Sequence, residues 1–362
     1  MSRQNLLLVF SLLLCSVLGL VWYYYRLADE EEAQENQLEV YWPTEGWRAS
    51  PPEDLRLDGS RLNAMVERIR DSIPTIDNVM VVRHGYVAVD EYFGSFNATQ
   101  RHRIFSCTKS VTSTLIGIAI EKGHIPSLDS RVLSLLPNHT ALNVNPWKES
   151  LTIRHLLSMA SGIDARDDYP DDWLWLNRML NSPDAVQYCL DLNVTVQPGT
   201  RFKYTNANSH LLSAIITETT GKAALEYAME NLFQPLGISD VEWEDDAKGI
   251  NWGHDRLYMR PRDMAKIGYL FLRGGEWDDK QVIPESWVRD ATTKRMDADI
   301  FPGYGYQWWI GDWYYCAMGY AGQFIYVFPD QDMVVVFTGR TMDNFENPRM
   351  LIRDYILPSV TK

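Results

Sequence analysis

The sequence predicts an α+β or α/β fold: one antiparallel sheet flanked by helices, with an all-helical lobe inserted in it and a transmembrane helix before it. Three observations carry this prediction. Strand-like runs lie near both ends of the folded part, and helical patterns punctuated by Pro and Gly fill the middle, roughly residues 125–250. An uncharged run of twenty residues precedes all of them. The sheet must therefore be assembled from distant segments of the chain.

The strands and helices are predicted from apolar periodicity and from the turn residues that bound each run. Residues 78–93 are typical of a β-hairpin, because apolar runs flank Arg83-His84-Gly85. Later strands are predicted at residues 306–310, 314–318, 324–328 and 333–338. Helices are predicted at residues 152–159, 183–192, 209–220, 264–272, 284–291 and 348–356.

The N-terminal run, residues 6–25, is long enough to cross about 30 Å of hydrocarbon as a helix. It ends in aromatic residues and Arg26 without a small-x-small cleavage pattern, so we expect an anchor, with a cleaved signal peptide as the alternative. Arg3 precedes the run and acidic residues follow it, which predicts a cytoplasmic N-terminus and an extracytoplasmic body.

The predicted organisation is an anchor (1–26), an acidic, Pro-rich stalk (27–56) and a folded domain (57–362). Within that domain, residues 57–124 and 251–362 form the sheet lobe and residues 125–250 the helical lobe.

Composition excludes some classes of function. A net charge of −14 opposes binding to a phosphate backbone, so nucleic acid is not expected as a partner, and no protein partner is indicated. The seven histidines show no H-E-x-x-H or H-x-H pattern, and the four cysteines show no C-x-x-C. We therefore predict neither a metal nor a cofactor. Cys107, Cys189 and Cys316 are expected as buried thiols, with a Cys189–Cys316 disulfide as the alternative.

Ser106 and Lys109 form the first candidate catalytic group. They open a helix that is apolar or small on nearly every face until Glu121, and their spacing places the two side chains about one turn apart. A serine hydroxyl is a poor nucleophile without a neighbouring base, and Lys109 is placed to serve as that base for Ser106. The alternative is a capping serine beside a solvated lysine. Burial of an unpaired ammonium would be costly, which favours a functional lysine.

Tyr204 is the second candidate. It follows the turn Gln197-Pro198-Gly199-Thr200 and precedes a predicted helix. Beside a cationic lysine a phenol loses its proton more readily, so Lys109 and Tyr204 can share the task of accepting the serine proton. The alternative is a tyrosine packed under a helix, with Asn206 and Asn208 serving as helix caps.

Taken together, Ser106-x-x-Lys109 and Tyr204-x-Asn206 resemble the first two motifs of the serine β-lactamases and penicillin-binding proteins. Residues 151–163 and 258–268 look like segments of the class C β-lactamase-related branch. The resemblance covers residues 57–362, and it implies a β-lactamase/transpeptidase-like fold. It also implies a hydrolase in which Ser106 is the nucleophile and Lys109 and Tyr204 are the general base and acid.

The third family motif is Lys-Thr-Gly or a variant, and here the sequence departs from it. The corresponding stretch is Ala317-Met318-Gly319, which carries no cation. The resemblance then implies esters or amides of smaller acids rather than penicillins, closer to the 6-aminohexanoate-dimer hydrolases and family esterases. It places the oxyanion hole at the backbone N–H groups of Ser106 and Tyr320, and Gly319 and Asn206 beside the substrate.

Two further residues are expected at the pocket on the same resemblance. Tyr169 is similar to the site-lining tyrosine of the dimer hydrolases; the alternative, which its position in a loop favours, is a tyrosine on the surface. Trp173 is expected to line the pocket wall. Trp308 and Trp309 are adjacent on a predicted strand, so they must face opposite sides of the sheet, and at least one should lie in the core.

The function predicted is a serine hydrolase that cleaves an ester or amide of a small molecule through an acyl-enzyme on Ser106. A non-catalytic binding or scaffold protein at the membrane is the alternative. A Ser-His-Asp hydrolase using His254 and Asp255 is a third hypothesis, weakened because the chain contains no G-x-S-x-G sequence.

Overall fold

The main sheet is built from both ends of the chain, as the sequence predicts. A computed structural model describes residues 41–165, 173–340 and 346–361. Seven strands pair in the order β2-β1-β12-β11-β10-β9-β8, and every pairing is antiparallel. They are β1 (Ile76–Arg83), β2 (Tyr86–Tyr92), β8 (Gly303–Tyr304), β9 (Trp309–Ile310), β10 (Tyr315–Gly319), β11 (Gln323–Phe328) and β12 (Met333–Gly339).

Two small sheets accompany it. A three-stranded sheet orders β3 (His102–Arg103), β5 (Leu257–Met259) and β4 (Glu242–Trp243), and a two-stranded one pairs β6 (Glu276–Trp277) with β7 (Lys280–Gln281). The first of these joins the segment before Ser106 to the segment that follows the helical lobe.

The α-helices of the described chain, in order, are α1 (Gly59–Ser72), α2 (Cys107–Glu121), α3 (Val132–Leu135), α4 (Pro146–Glu149), α5 (Ile153–Leu157), α6 (Trp173–Leu180), α7 (Ala185–Asp191), α8 (Asn206–Thr220), α9 (Ala224–Ala228), α10 (Pro261–Leu272), α11 (Glu285–Ala291) and α12 (Glu346–Leu351). Asp58 caps α1 by accepting from Arg61 N, and Asp184 caps α7 in the same way. Gly221 ends α8 in the left-handed conformation.

Helices cover both faces of the sheet, so its central strands β1, β11 and β12 are buried on both sides. On β1, Met80 and Val82 pack with α2 and the helical lobe, whereas Val79 and Val81 pack with α1 and the C-terminal helix. This alternation follows from the two-residue period of a strand. α10 lies on the first face, where Gly268 allows the close approach. A Cβ at Gly268 would lie 2.7 Å from side-chain carbons of β11 and β12.

Packed structure is present at Trp42, ahead of the predicted domain boundary at residue 57. Trp42 packs against Tyr269 and Trp277, with ring centroids 5.8 and 5.6 Å apart. Trp277 Nε1 donates to Thr44 Oγ1 at 2.8 Å. The part of the predicted stalk from residue 42 to residue 56 is therefore packed structure, because its tryptophans fill the surface of α10 and β6. From its composition alone, the same Pro- and Trp-rich stretch is interpreted as a linker.

The predicted strand at residues 306–310 is shorter in the structure. Only Trp309–Ile310 pairs as β9, because Gln307 adopts a left-handed backbone, with φ 64°, that breaks the strand. The predicted C-terminal helix is α12, continued by a π-helical turn at Ile352–Ile356. Within the described ranges no helix is long and apolar enough to cross a membrane. The predicted anchor, residues 6–25, lies outside them.

Candidate active site

Ser106 lies in a tight turn between β3 and α2. It directly precedes Cys107, the first residue of α2, and the residue before it, Phe105, has a left-handed backbone with φ 46°. The Phe105 ring is held on two sides, by the Arg103 guanidinium 4.6 Å above it and by the Tyr320 ring at 5.4 Å. A strained turn fixed by its neighbours sets the direction of the serine hydroxyl.

Lys109 stands one turn along the same helix and is 1% exposed. Its Nζ lies 2.9 Å from Ser106 Oγ. The same nitrogen donates to Asn206 Oδ1 at 2.7 Å and to the His254 carbonyl at 3.1 Å. The last two groups can only accept, so they fix two of the lysine protons. The remaining position points to Ser106. There a neutral amine accepts the serine proton, and an ammonium donates to the same oxygen.

Tyr204 closes the group from the helical side. It lies two residues before α8, and its ring centroid is 4.8 Å from Lys109 Nζ. The ring also stacks on Trp309, with centroids 5.6 Å apart and planes inclined by 18°. The structure therefore brings Ser106, Lys109 and Tyr204 together at the seam between the sheet and the helical lobe.

The end of β10 lies directly against the Ser106 turn. A Cβ added to Gly319 would lie 2.3 Å from the Ile104 carbonyl oxygen and 3.3 Å from Cys107 N. Only glycine permits this approach. Tyr320 follows at the start of a 3₁₀ turn, Tyr320–Gly322, directly after the strand end that meets the Ser106 turn. The stretch Ala317-Met318-Gly319, predicted as the counterpart of the third family motif, forms this strand end.

Several contacts of the site were missed by the sequence reasoning. The His254 carbonyl and the Trp309 ring touch Lys109 and Tyr204, and a backbone acceptor leaves no side-chain signal in a sequence. Asn206 was predicted to bind substrate, whereas its Oδ1 accepts from Lys109. Phe105 had no signal beyond its position before Ser106. Tyr169 lies outside the described residues, and nothing is described of the Trp173 side chain.

The third hypothesis, a Ser-His-Asp triad, does not match the geometry. The His254 ring is buried against Trp252 and His210. The hydrogen bond between this residue and Lys109 is made by the His254 backbone carbonyl, not by the ring. Burial and the Lys109 charge hold the pKa of His254 well below its usual value. Asp255 pairs instead with Arg103, whose Nε lies 3.0 Å from Asp255 Oδ1. The acidic partner of the triad is therefore committed to another residue.

The cysteines do not offer a competing nucleophile. Cys107, Cys189 and Cys316 are buried thiols, which confirms that prediction over the disulfide alternative. Cys107 adjoins Ser106, but burial raises the pKa of its thiol and its Sγ faces the Gln323 carbonyl. No group of three His, Cys, Asp or Glu side chains suited to a metal occurs in the part of the chain that the structure describes.

Comparison with known proteins gives one family. The beta-lactamase family model matches residues 62–355. The 6-aminohexanoate-dimer hydrolase of Paenarthrobacter ureafaciens is 26% identical over 318 residues, which cover 80% of this chain and 79% of that protein. A Bacillus anthracis protein thought to be a 6-aminohexanoate-dimer hydrolase superposes with a TM-score of 0.71 at 22% identity, covering 89% of this chain and 90% of that one. A family VIII carboxylesterase superposes with a TM-score of 0.67 at 15% identity, covering 86% and 98%.

The chain belongs to the beta-lactamase family, within the serine β-lactamase-related superfamily. The 6-aminohexanoate-dimer hydrolase among its relatives supports a hydrolase of this fold as the class of the protein. The predicted antiparallel sheet with flanking helices is confirmed.

Proposed function

We propose that the protein is a serine hydrolase that cleaves an ester or amide bond of a small molecule through an acyl-enzyme on Ser106. The observation that carries this proposal is the placement of Lys109. A buried lysine nitrogen lies 2.9 Å from the serine hydroxyl and is oriented by two further oxygens. Such an arrangement activates a hydroxyl that is otherwise a weak nucleophile.

In the acylation step, Ser106 Oγ bonds to the substrate carbonyl carbon while its proton passes to the Lys109–Tyr204 pair. The same pair then delivers that proton to the leaving oxygen or nitrogen as the scissile bond breaks. Water attacks the acyl-enzyme in the second half, gives a proton to the pair and releases the acid, and Ser106 recovers its proton. Whether Lys109 or Tyr204 holds the proton at a given moment is a property of the coupled pair.

The oxyanion of the tetrahedral intermediate is assigned to the backbone N–H groups of Ser106 and Tyr320. The support is the contact of β10 with the Ser106 turn, which sets two backbone segments side by side. Two donors aimed at the developing charge are worth about 10²- to 10³-fold each in other serine hydrolases. Because only backbone is required, the absence of a cation from Ala317-Met318-Gly319 does not prevent acylation.

The substrate is proposed to be an uncharged or small ester or amide. Among the described residues around Ser106, Phe105, Tyr204 and Tyr320 are aromatic. Arg103, the cation beside Phe105, is already paired with Asp255. Gly319 is assigned to the substrate-binding edge, and Asn206 to holding Lys109 in place.

A fluorophosphonate probe tests this function directly. The purified protein should be labelled once per chain, and peptide mapping should locate the label on Ser106. Ser106→Ala should abolish labelling and turnover while leaving the melting temperature nearly unchanged. Labelling that persists in this variant would overturn the assignment. A folded wild-type protein that resists the probe and turns over no ester or amide would favour the non-catalytic scaffold.

We also propose that residues 6–25 anchor the protein in a membrane with the catalytic body outside the cytoplasm. The support is the length of the uncharged run and the charge asymmetry around it. The full chain should stay with membranes in alkaline carbonate, whereas a chain that begins at Trp42 should not. Release of the full chain into the carbonate supernatant would refute the anchor.

A further inference from the structure

Gln307 makes hydrogen bonds to three helices near the proposed catalytic site: α2, α5 and α8. It is 2% exposed and has the left-handed backbone, φ 64°, that interrupts the strand before β9. Such a conformation costs free energy for a residue other than glycine and persists only where the surroundings enforce it. The hydrogen bonds of Gln307 identify those surroundings.

The first two bonds reach the helices that carry the site. Ser110 Oγ, next to Lys109 on α2, donates to the Gln307 carbonyl at 2.7 Å. Ser209 Oγ, three residues after Asn206 on α8, donates to Gln307 Oε1 at 2.8 Å. One residue thus accepts from both helices, one turn or less from Lys109 and from Asn206.

The other bonds reach the helical lobe. Gln307 N donates to the Leu157 carbonyl at 3.1 Å, and Nε2 donates to the Leu156 carbonyl at 3.3 Å, both on α5. Gln307 therefore uses its backbone donor, its backbone acceptor and both ends of its amide. Two residues on, Trp309 stacks on Tyr204.

We propose that Gln307 is a positioning residue for the proposed hydrolase: it fixes the offset between α2 and α8, and thereby the distance from Ser106 and Lys109 to Tyr204 and Asn206. This inference rests on the proposed function. It follows from the fact that α2 and α8 each supply half of the site and that buried polar groups hold their partners strongly. A displacement of about 1 Å at the reacting groups costs about 100-fold in rate.

The test separates position from folding. Fluorophosphonate labelling of Ser106 gives a rate constant and, at its end point, the fraction of competent sites. The variants are Gln307→Leu, Ser209→Ala and Ser110→Ala, the last two removing a single hydroxyl in case the first does not fold. The matched control is Ser359→Ala, which removes a buried hydroxyl whose bond, to the Ile356 carbonyl, is distant from α2 and α8.

We expect the labelling rate to fall about 10-fold or more in the three variants, with the end point retained and the control unchanged. With an ester substrate, kcat should fall while KM changes little. Rates per competent site equal to the wild type, or a loss confined to the end point, would show a purely structural role and overturn it. A wild-type protein that is not labelled at Ser106 would instead refute the proposed function, and this inference with it.

Discussion

Lys109 is the residue on which the proposed chemistry depends most. It has almost no exposed surface, and its nitrogen meets three oxygens that belong to Ser106, Asn206 and His254. Such a buried amine is costly unless its hydrogen bonds are made. The fold supplies them from α2, from α8 and from the segment before β5. The site is therefore a meeting point of three separate parts of the chain.

Removing either proton-handling group should lower the rate without unfolding the protein. Lys109→Met keeps the volume and removes the amine, and Tyr204→Phe keeps the ring on Trp309 and removes only the hydroxyl. We expect kcat/KM to fall about 10²- to 10⁴-fold in each, the range of general acid–base catalysis. Tyr326→Phe, a buried tyrosine of β11, is the control and should stay within about threefold of the wild type.

Asp255→Asn tests the triad hypothesis in the same assay. Because its carboxylate binds Arg103 and not an imidazole, the substitution should leave kcat close to the wild type. A loss as large as that of Tyr204→Phe would revive the Ser-His-Asp mechanism.

Asp77 gives the stability of the protein a pH dependence. This carboxyl is 1% exposed, with Arg340 Nε 3.1 Å from Oδ1 and His102 Nδ1 3.9 Å from Oδ2. Burial outweighs the Arg340 charge and raises the pKa of Asp77 to about 6. Burial lowers the pKa of His102 to about 4. The two groups therefore act in opposite directions as the pH falls.

The sign of each contribution follows from proton uptake. Folded Asp77 binds a proton more readily than the unfolded carboxyl, so its contribution to the free energy of unfolding rises as the pH falls from about 7 to about 4. His102 contributes the reverse. In Asp77→Asn only the His102 contribution remains, so the variant should lose stability relative to the wild type as the pH falls through this window. Urea unfolding at pH 7, 6 and 5 measures the difference. A constant difference would contradict the shifted pKa of Asp77.

At the scale of elements, the contact between β10 and the Ser106 turn determines the geometry of the proposed oxyanion hole. Gly319→Ala places a methyl 2.3 Å from the Ile104 carbonyl, so the turn or the strand must move. We expect kcat to fall about 10-fold or more. Gly249→Ala, at a position with open space and a left-handed φ of 80°, is the control for strain alone and should change stability without changing kcat. Equal kcat in both variants would contradict the assigned hole.

Some of the elements could be predicted from local sequence patterns, and others could not. The β1–β2 hairpin was predictable because the apolar run at residues 79–82 and the turn at His84-Gly85 are local signals. The opposite orientations of Trp308 and Trp309 followed from the strand period, and they occupy different core clusters. Which of the two meets Tyr204 was not predictable, because Tyr204 lies far from β9 in the sequence and their contact is tertiary.

The same limit applies to the site. Ser106, Lys109 and Tyr204 carry reactive side chains at family spacing, so a sequence can propose them. The His254 carbonyl, the Phe105 backbone and the Gln307 hydrogen bonds depend on where the chain returns after the helical lobe. Such contacts form between segments that are distant in the sequence, so local composition does not predict them.

For the whole molecule, residues 42–56 are packed against the domain predicted to start at residue 57. A chain that begins at Trp42 should match the full chain in activity and in resistance to urea. A chain that begins at Leu57 should lose about 3–5 kcal/mol or more, since Trp42 and Trp47 leave the surface of Tyr269 and Lys266 loses the Thr44 carbonyl. Equal stability of the two truncated chains, measured by urea unfolding, would restore the predicted stalk.

The acyl-enzyme itself provides the most direct test of the proposed mechanism. The protein would be mixed with an activated ester, quenched in acid within milliseconds to seconds, and digested for mass spectrometry. We predict an acyl adduct on the peptide that contains Ser106, formed in the wild type, much slower in Lys109→Met and absent in Ser106→Ala. Turnover with no adduct at Ser106, or full turnover by Ser106→Ala, would contradict the mechanism.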